Sequence, residues 1–214
     1  MYKLSETCQI NNLNSIYLKY FGYPSKGTFV EVGAYDGESY SNTSCLADVG
    51  WNGLYIDPIL EHCLYCSQRH HDNDVSVVNC SIGSDEKEIE MYIHGALSTS
   101  NLDHLKWLKN NAVGKNICKQ YRLENILNKF KIIPGFDLLV VDVEGNEDDV
   151  FNSFDLNFWN PKMIIVELMD NHPEFTEYDI SNVHRNLRGR IGKSKYIEVY
   201  KDHINTIFIK NLEE

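Results

Sequence analysis

No apolar run in this sequence comes near the roughly 20 residues that a membrane-spanning helix needs, so a bundle of spans is excluded. Basic charge is short as well. Twenty Lys and Arg stand against 31 Asp and Glu, a formal net charge of −11. A broad nucleic-acid surface needs cations that replace the counterions around phosphate, so that class is disfavoured and no nucleic-acid partner is expected. The densest basic segment is RNLRGRIGKSK, residues 185–195. It reads as a solvated helix end or as a local contact for an anionic substrate, and charge patterning leaves both open. The cysteines at 8, 45, 63, 66, 80 and 118 lack the spacing of a disulfide framework. Scattered thiols suit a reducing compartment. Cys63, Cys66 and His70 share a helix face, but closed zinc sites usually draw ligands from two elements, so thiols facing a core are expected. The opening MYKLSETCQINNLN is polar and lacks the apolar centre of a leader peptide. A soluble, cytoplasmic protein without a membrane span is the expectation. Internal repeats and low-complexity tracts are missing too, which excludes a solenoid.

What is present is alternation. Residues 11–22 read as an amphipathic helix stopping at Gly22 and Pro24, and residues 1–26 as a helical extension ahead of one main domain over 27–214. Short apolar runs at 28–32, 53–57, 75–79, 137–145 and 162–168 read as buried strands. Helical patterns fall at about 39–48, 60–70, 121–130, 147–154 and 179–189. EIEMYIH, 88–94, alternates like an added strand or half of a hairpin. Residues 95–118 read as a polar loop and then a helix, LDHLKWLKN. KYIEVY and INTIFIK, 195–200 and 204–210, read as an antiparallel hairpin. Strands alternating with helices predict an α/β sandwich on a mostly parallel sheet, with ligands bound beyond the carboxyl ends of the strands.

Acids sit at those ends. FVEVGAYDG, residues 29–37, places Glu31 inside a buried strand and Asp36 between Gly33 and Gly37. An unpaired buried carboxylate is costly, so Glu31 needs a purpose. The glycine spacing is not the G-x-G-x-x-G that cradles a pyrophosphate, and a dinucleotide is disfavoured. Asp57 follows the second strand, 20 residues beyond Gly37, where an acid accepts the hydroxyls of a ribose. A ribose acid without a pyrophosphate loop points to an adenosine ligand lacking a diphosphate, and S-adenosylmethionine is the common one. Glu31, Gly33, Ala34, Tyr35, Asp36 and Gly37 are then expected at its amino-acid portion, Asp57 and Pro58 at the ribose, and Ser81 and Ile82 beside the adenine. Asp142 and Glu144 point to one face after the fourth strand. Glu167, Asp170, Asn171 and His172 follow along the fifth.

These residues carry a resemblance. FVEVGAYDG, the IDP step at 56–58, LLVVDVEGNEDDV at 138–150 and IIVEL at 164–168 resemble the FkbM family of methyltransferases. STS at 98–100 and RLENIL at 122–127 resemble its serine-rich loop and the helix before its fourth strand. The resemblance spans about residues 27–170 and departs at Asp57, where glutamate is more usual, and over 101–118, where no pattern matches. It implies a Rossmann-like class I methyltransferase fold, a seven-stranded, mostly parallel sheet with a C-terminal antiparallel hairpin. It also implies S-adenosylmethionine as methyl donor and a hydroxyl acceptor, often on a sugar, glycan or glycosylated product. The chain is then a domain by itself or part of a larger glycan-synthesis polypeptide.

A sugar hydroxyl must be held in line with the methyl and lose its proton. His172 is the first candidate base, and Asp142, Glu144 and Glu167 are the candidate acids beside it, Asp142 being also a candidate contact of the cofactor. Asp142, Asp170 and Asn171 resemble the Mg2+ or Mn2+ set of catechol-type O-methyltransferases. His94, His104 and the His70–His71 pair read as surface or structural. Trp107 and Tyr121 read as core or as sugar-stacking rings. Two other classes stay open: a non-catalytic binding or scaffold domain of the same fold, and a nucleic-acid methyltransferase. The acidic balance and the absence of an N-P-P-Y-type block after the fourth strand weigh against the second.

Overall fold

A computed structural model describes residues 2–23, 26–109 and 111–211; Pro24, the expected stop of the leading helix, and Asn110 lie outside them. The first half of the chain forms α1 (Leu13–Phe21), β1 (Thr28–Val32), α2 (Ser44–Ala47), β2 (Asn52–Asp57), α3 (Leu60–Arg69), β3 (Val75–Asn79), β4 (Ser81–Ile82), β5 (Lys87–Ile93) and α4 (Leu102–Trp107). The second half forms β6 (Gly114–Tyr121), α5 (Leu123–Lys129), β7 (Leu138–Val141), α6 (Glu147–Phe151), α7 (Leu156–Trp159), β8 (Met163–Glu167), α8 (Asp179–Lys193), β9 (Tyr196–Lys201) and β10 (Asn205–Lys210). Two 3-10 turns, Met169–Asn171 and Pro173–Phe175, lead from β8 into α8.

Seven strands make one sheet in the order β3-β2-β1-β7-β8-β10-β9. The first five are parallel, and β10 runs antiparallel to both β8 and β9. This is the Rossmann-like arrangement with the expected closing hairpin. Strand order reverses between β1 and β7, which makes their carboxyl ends the place for a ligand. β7 and β8 are buried along their whole length, as continuous apolar runs in a covered parallel sheet should be.

The two-residue period divides each strand between two cores. Val30, Val32, Leu54, Ile56, Leu139, Val141, Ile164 and Val166 face one layer, with Leu187 and Ile191 of α8. Phe29, Tyr55, Leu138, Val140, Met163 and Ile165 face the other, with Leu13 and Tyr17 of α1. Each large apolar side chain buried this way contributes about 1.5–3 kcal/mol. Glu31, Asp142 and Glu167 continue the second series, so the alternation that builds the core also sends three carboxyls to one side of the sheet. The segment expected as an extension supplies Tyr2, Ile10, Leu13 and Tyr17 to the second core, and the Tyr17 hydroxyl donates to the Asn42 carbonyl at 2.7 Å.

Three elements differ from the sequence expectation. The helix expected over 39–48 shrinks to Ser44–Ala47. Asp36 takes the N–H groups of Glu38 and Ser39, and the Ser41 hydroxyl takes those of Thr43 and Ser44, so side chains hold the loop in place of a helical ladder. α7 is a single short turn, capped by the Asp155 side chain. β6 begins inside the segment expected as loop and helix, 95–118; only two of its residues, Cys118 and Gln120, are buried, and its apolar Ile117 lies in solvent. It pairs antiparallel with β5 and parallel with β4 in a separate three-stranded sheet. Among the described residues no helix is long and apolar enough to cross a membrane.

Candidate active site

The cleft opens at the carboxyl ends of β1, β7 and β8. A cavity of about 250 Å³ is lined there by Glu31, Asp142, Glu144, Glu167, His104 and Trp107, among others. A smaller one of about 50 Å³ shares Gly33, Tyr35, Asp142 and Glu144 with it and extends toward β2. Gly33 sits at the junction with φ 89°. A Cβ there would run into the backbone carbonyl of Asp142, so only glycine lets the ends of β1 and β7 come this close. The first N–H groups of the glycine loop are engaged by the protein. Those of Gly33 and Ala34 bond to the Ile56 carbonyl, and that of Tyr35 to Asp57. Tyr35 itself holds a left-handed φ of 49°, a conformation that costs a non-glycine residue about 1–3 kcal/mol and persists where surroundings impose it.

Asp36 and Gly37, expected in the cofactor set, line neither cavity. Both Asp36 oxygens are used within its own turn, on Glu38, Ser39 and the Ser39 hydroxyl, and it lines neither cavity. Gly37 packs under α3: a Cβ would press on Cys66 and His70, and its carbonyl meets His70 Nε2 at 2.8 Å. Both residues build the loop. Asp57, Pro58, Ser81 and Ile82 do line the smaller cavity. The Asp57 carboxylate is fixed by the N–H groups of Tyr35 and Ile59 and stands 3.1 Å from His62 Nδ1. A carboxylate offers about four acceptor positions, so one remains for a hydroxyl.

Four acids form the floor. Glu31 is buried and accepts from the Thr43 hydroxyl at 2.6 Å and the Ser41 hydroxyl at 3.3 Å. Burial pushes its carboxyl up to about 7 in spite of these donors, and the Asp142 charge adds to the rise. Asp142, half-buried, is likewise pushed up to about 7 by burial and then by the Glu147 charge. Glu144 and Glu167 lie well above the usual carboxylate range, through burial first and the Asp142 charge second. One oxygen from each of Asp142, Glu144 and Glu167 lies within 4.8 Å of the other two.

An aromatic wall rises from this floor. Trp107 of α4 packs against Phe175 at 4.9 Å and His172 at 6.4 Å between ring centroids, and Phe175 touches His172 at 5.2 Å. His104, read from the sequence as surface or structural, has no exposed surface, lines the cavity and places Nε2 3.1 Å from Glu144. Burial holds its pKa down at about 4, so the ring is neutral. His172 lies where expected, but its Nδ1 accepts the Glu174 N–H at 3.2 Å. In that arrangement the neutral ring carries its proton on Nε2 and is a donor. Base action would require breaking the Glu174 bond. Asp170 and Asn171 are not brought to Asp142. Arg188 holds Asp170 through two hydrogen bonds of 2.7 Å, Asn171 donates to Asp170, and neither residue lines the cavity. Their expected metal set is not assembled, because α8 supplies the arginine that neutralises Asp170.

The methyltransferase FkbM domain pattern matches residues 31–207 of this sequence. The chain belongs to the FkbM methyltransferase family. Solved structures with the same fold include a Klebsiella pneumoniae protein assigned as an O-methyltransferase, 11% identical, with a TM-score of 0.55 over 97% of this chain and 84% of that one. Another is the Bacillus cereus O-methyltransferase in complex with SAH, 14% identical, with a TM-score of 0.52 over 98% and 83%. No curated protein matches by sequence.

As an FkbM methyltransferase the chain depends on S-adenosylmethionine, and the residues present fit that ligand. Glu31 is a buried carboxylate opening on the cavity, suited to an ammonium group. Asp57 is an anchored acceptor at the end of β2, and Ile59 and Ile82 give the smaller cavity apolar sides. Sequence reasoning missed Gln9, Ser41 and Asn42, which also line the larger cavity, and underrated His104 and Trp107. Gln9 is met through Asn205 at 3.3 Å, across a separation of 196 residues, and no local pattern carries that information.

Proposed function

We propose that this FkbM methyltransferase transfers the methyl group of S-adenosylmethionine to a hydroxyl of a sugar, in a glycan or a glycosylated product. The observation that carries the reading is one cavity with a carboxylate floor, Asp142, Glu144 and Glu167, under an aromatic wall of Trp107, His172 and Phe175. A sugar ring presents hydroxyls at its rim and C–H bonds on its faces, and such a cavity complements both. In this reading Glu31 meets the amino group of the cofactor, Gly33, Ala34 and Tyr35 flank its amino-acid portion, Asp57 and Pro58 meet the ribose, and Ser81 and Ile82 flank the adenine.

The cofactor supplies an electrophilic methyl on a positively charged sulfur. The chain's task is to hold the acceptor oxygen in line with it and remove a proton. Carboxylates placed against the sulfur would stabilise the charged ground state more than the transition state, so the floor is better spent on the acceptor. Its oxygens accept the hydrogen of the acceptor hydroxyl and take the proton. His172, with Nδ1 engaged, donates from Nε2 to a neighbouring sugar oxygen. The acceptor arrives on its own or from a larger glycan-building polypeptide.

The test is an acceptor panel. Purified protein with labelled S-adenosylmethionine is offered oligosaccharides, RNA and protein side by side, and the products are mapped by mass spectrometry. Methyl ethers on sugar hydroxyls are expected. Label confined to RNA or protein nitrogen would overturn the proposal.

A further inference from the structure

We propose that Asp142, Glu144 and Glu167 bind one hard divalent cation, Mg2+ or Mn2+, at the floor of the cleft. The inference rests on the acceptor-site reading above and deepens it by naming what holds the acceptor oxygen.

The register places two of the ligands. Val141 of β7 pairs with Val166 of β8, so the next residues, Asp142 and Glu167, stand side by side. Glu144 reaches the same point because its backbone turns with φ 56°, in the left-handed region that a side chain occupies at a cost of about 1–3 kcal/mol. The three contributed oxygens lie within 4.8 Å of one another. Oxygens on opposite sides of a Mg2+ at about 2.1 Å are about 4.2 Å apart, so three oxygens within 4.8 Å of one another need close by no more than about 0.6 Å to share its coordination sphere.

Among the described residues no lysine or arginine pairs with any of the three; the one basic side chain against them is His104, beside Glu144. Glu144 Oε2 and Glu167 Oε2 are buried without a hydrogen-bond partner. His104, with no exposed surface, has neither ring nitrogen hydrogen-bonded and is aimed at Glu144 from 3.1 Å. Each buried polar atom left alone costs about 1–3 kcal/mol. One cation would engage both orphaned carboxylate oxygens, and His104 would then act as a positioning residue that donates to a ligating carboxylate. An all-oxygen set selects hard cations over zinc or copper. The ligand set differs from the one expected from the sequence, since Asp170 and Asn171 are drawn off by Arg188.

Tag-free, metal-stripped protein is titrated with MnCl2, free Mn2+ being read by electron paramagnetic resonance. The same preparation is titrated with S-adenosylhomocysteine by calorimetry. One Mn2+ per chain is expected, displaced by Mg2+. Glu167→Gln should weaken it at least tenfold while folding, by circular dichroism, and S-adenosylhomocysteine affinity hold. Glu144→Gln is the second variant should the first not fold. Folded wild-type protein that takes up neither metal, or variants that bind it unchanged, overturn the inference. S-adenosylhomocysteine binding without metal binding sinks the cation and leaves the methyl-transfer reading standing; metal binding without S-adenosylhomocysteine binding does the reverse.

Discussion

Glu147 and His184 stand 2.8 Å apart with no exposed surface on either side chain. His184 Nδ1 accepts the Met169 N–H, and Glu147 accepts the N–H groups of Val143 and Gly145. One buried pair thereby ties the loop after β7, which carries Asp142 and Glu144, to the loop after β8, which follows directly on Glu167. Burial opposes the Glu147 charge, but the His184 contact and the Val143 N–H outweigh it and hold the carboxyl below its usual value. The retained charge then raises Asp142 and Glu144 beside it.

Removing His184 should therefore be expensive. Breaking one partner of a buried pair costs about 3–5 kcal/mol, because the other is left uncompensated. His184→Ala is expected to lose that amount in urea denaturation. A loss under about 1 kcal/mol would show that the pair does not hold the loops.

Two aspartates close together in sequence should behave differently. Asp57→Asn is expected to weaken S-adenosylhomocysteine binding at least tenfold, about 1.4 kcal/mol. Asp36→Ala should lower thermal stability and leave that affinity within about twofold, since Asp36 serves only its own turn. Calorimetry on both variants checks this, and equal losses of affinity would return Asp36 to the ligand.

Glu31 makes stability pH-dependent. Its folded pKa of about 7 lies above the ordinary value of 4.5, so the native state holds the proton more tightly than the unfolded chain. The stability this contributes is fully present below about pH 4.5 and is lost as pH rises through 7. Glu31→Gln should remove that slope, and the variant should gain on the wild type above pH 7 while binding S-adenosylmethionine more weakly. Denaturation midpoints measured from pH 5 to 8 give the difference directly, and parallel curves would rule the assignment out.

Trp107→Ala tests the sugar platform. Loss of the ring face should raise the acceptor KM about tenfold, the scale of one aromatic contact of about 1.4 kcal/mol. Affinity for S-adenosylhomocysteine should not change. An unchanged acceptor KM would assign the wall to packing alone.

The choice of base is open to direct comparison. Because His172 Nδ1 is engaged by Glu174, His172→Gln should cut kcat less than tenfold. Asp142→Asn should cut it by about 10²–10⁴-fold, the range of a positioned base or its equivalent. The opposite order would restore His172 to the role its place in the sequence suggests.

The parallel sheet, its apolar central strands and the closing hairpin follow from local pattern: LLVV and MIIVE are buried runs, and side chains alternate faces every two residues. The same periodicity made Glu31, Asp57, Asp142 and Glu167 legible as acids at strand ends. It could not separate Asp36, spent on its own turn, from Asp57, which lines the cleft. Nor could it show that Arg188, 18 residues on, would claim Asp170. β6 is hidden because its exposed face carries polar residues and an exposed Ile117, and its pairing with β5 spans a connection that includes α4. His104 reads from the sequence as surface or structural, and only the packing of α4 sets it against Glu144. Sequence alone determined the layers, the methyltransferase family and the edge of the sheet where the ligand sits, because period and apolar runs are local properties of the chain. Only the tertiary structure decided which acids share a site and which histidines are buried among them, because distance and desolvation arise when segments remote in sequence are packed together.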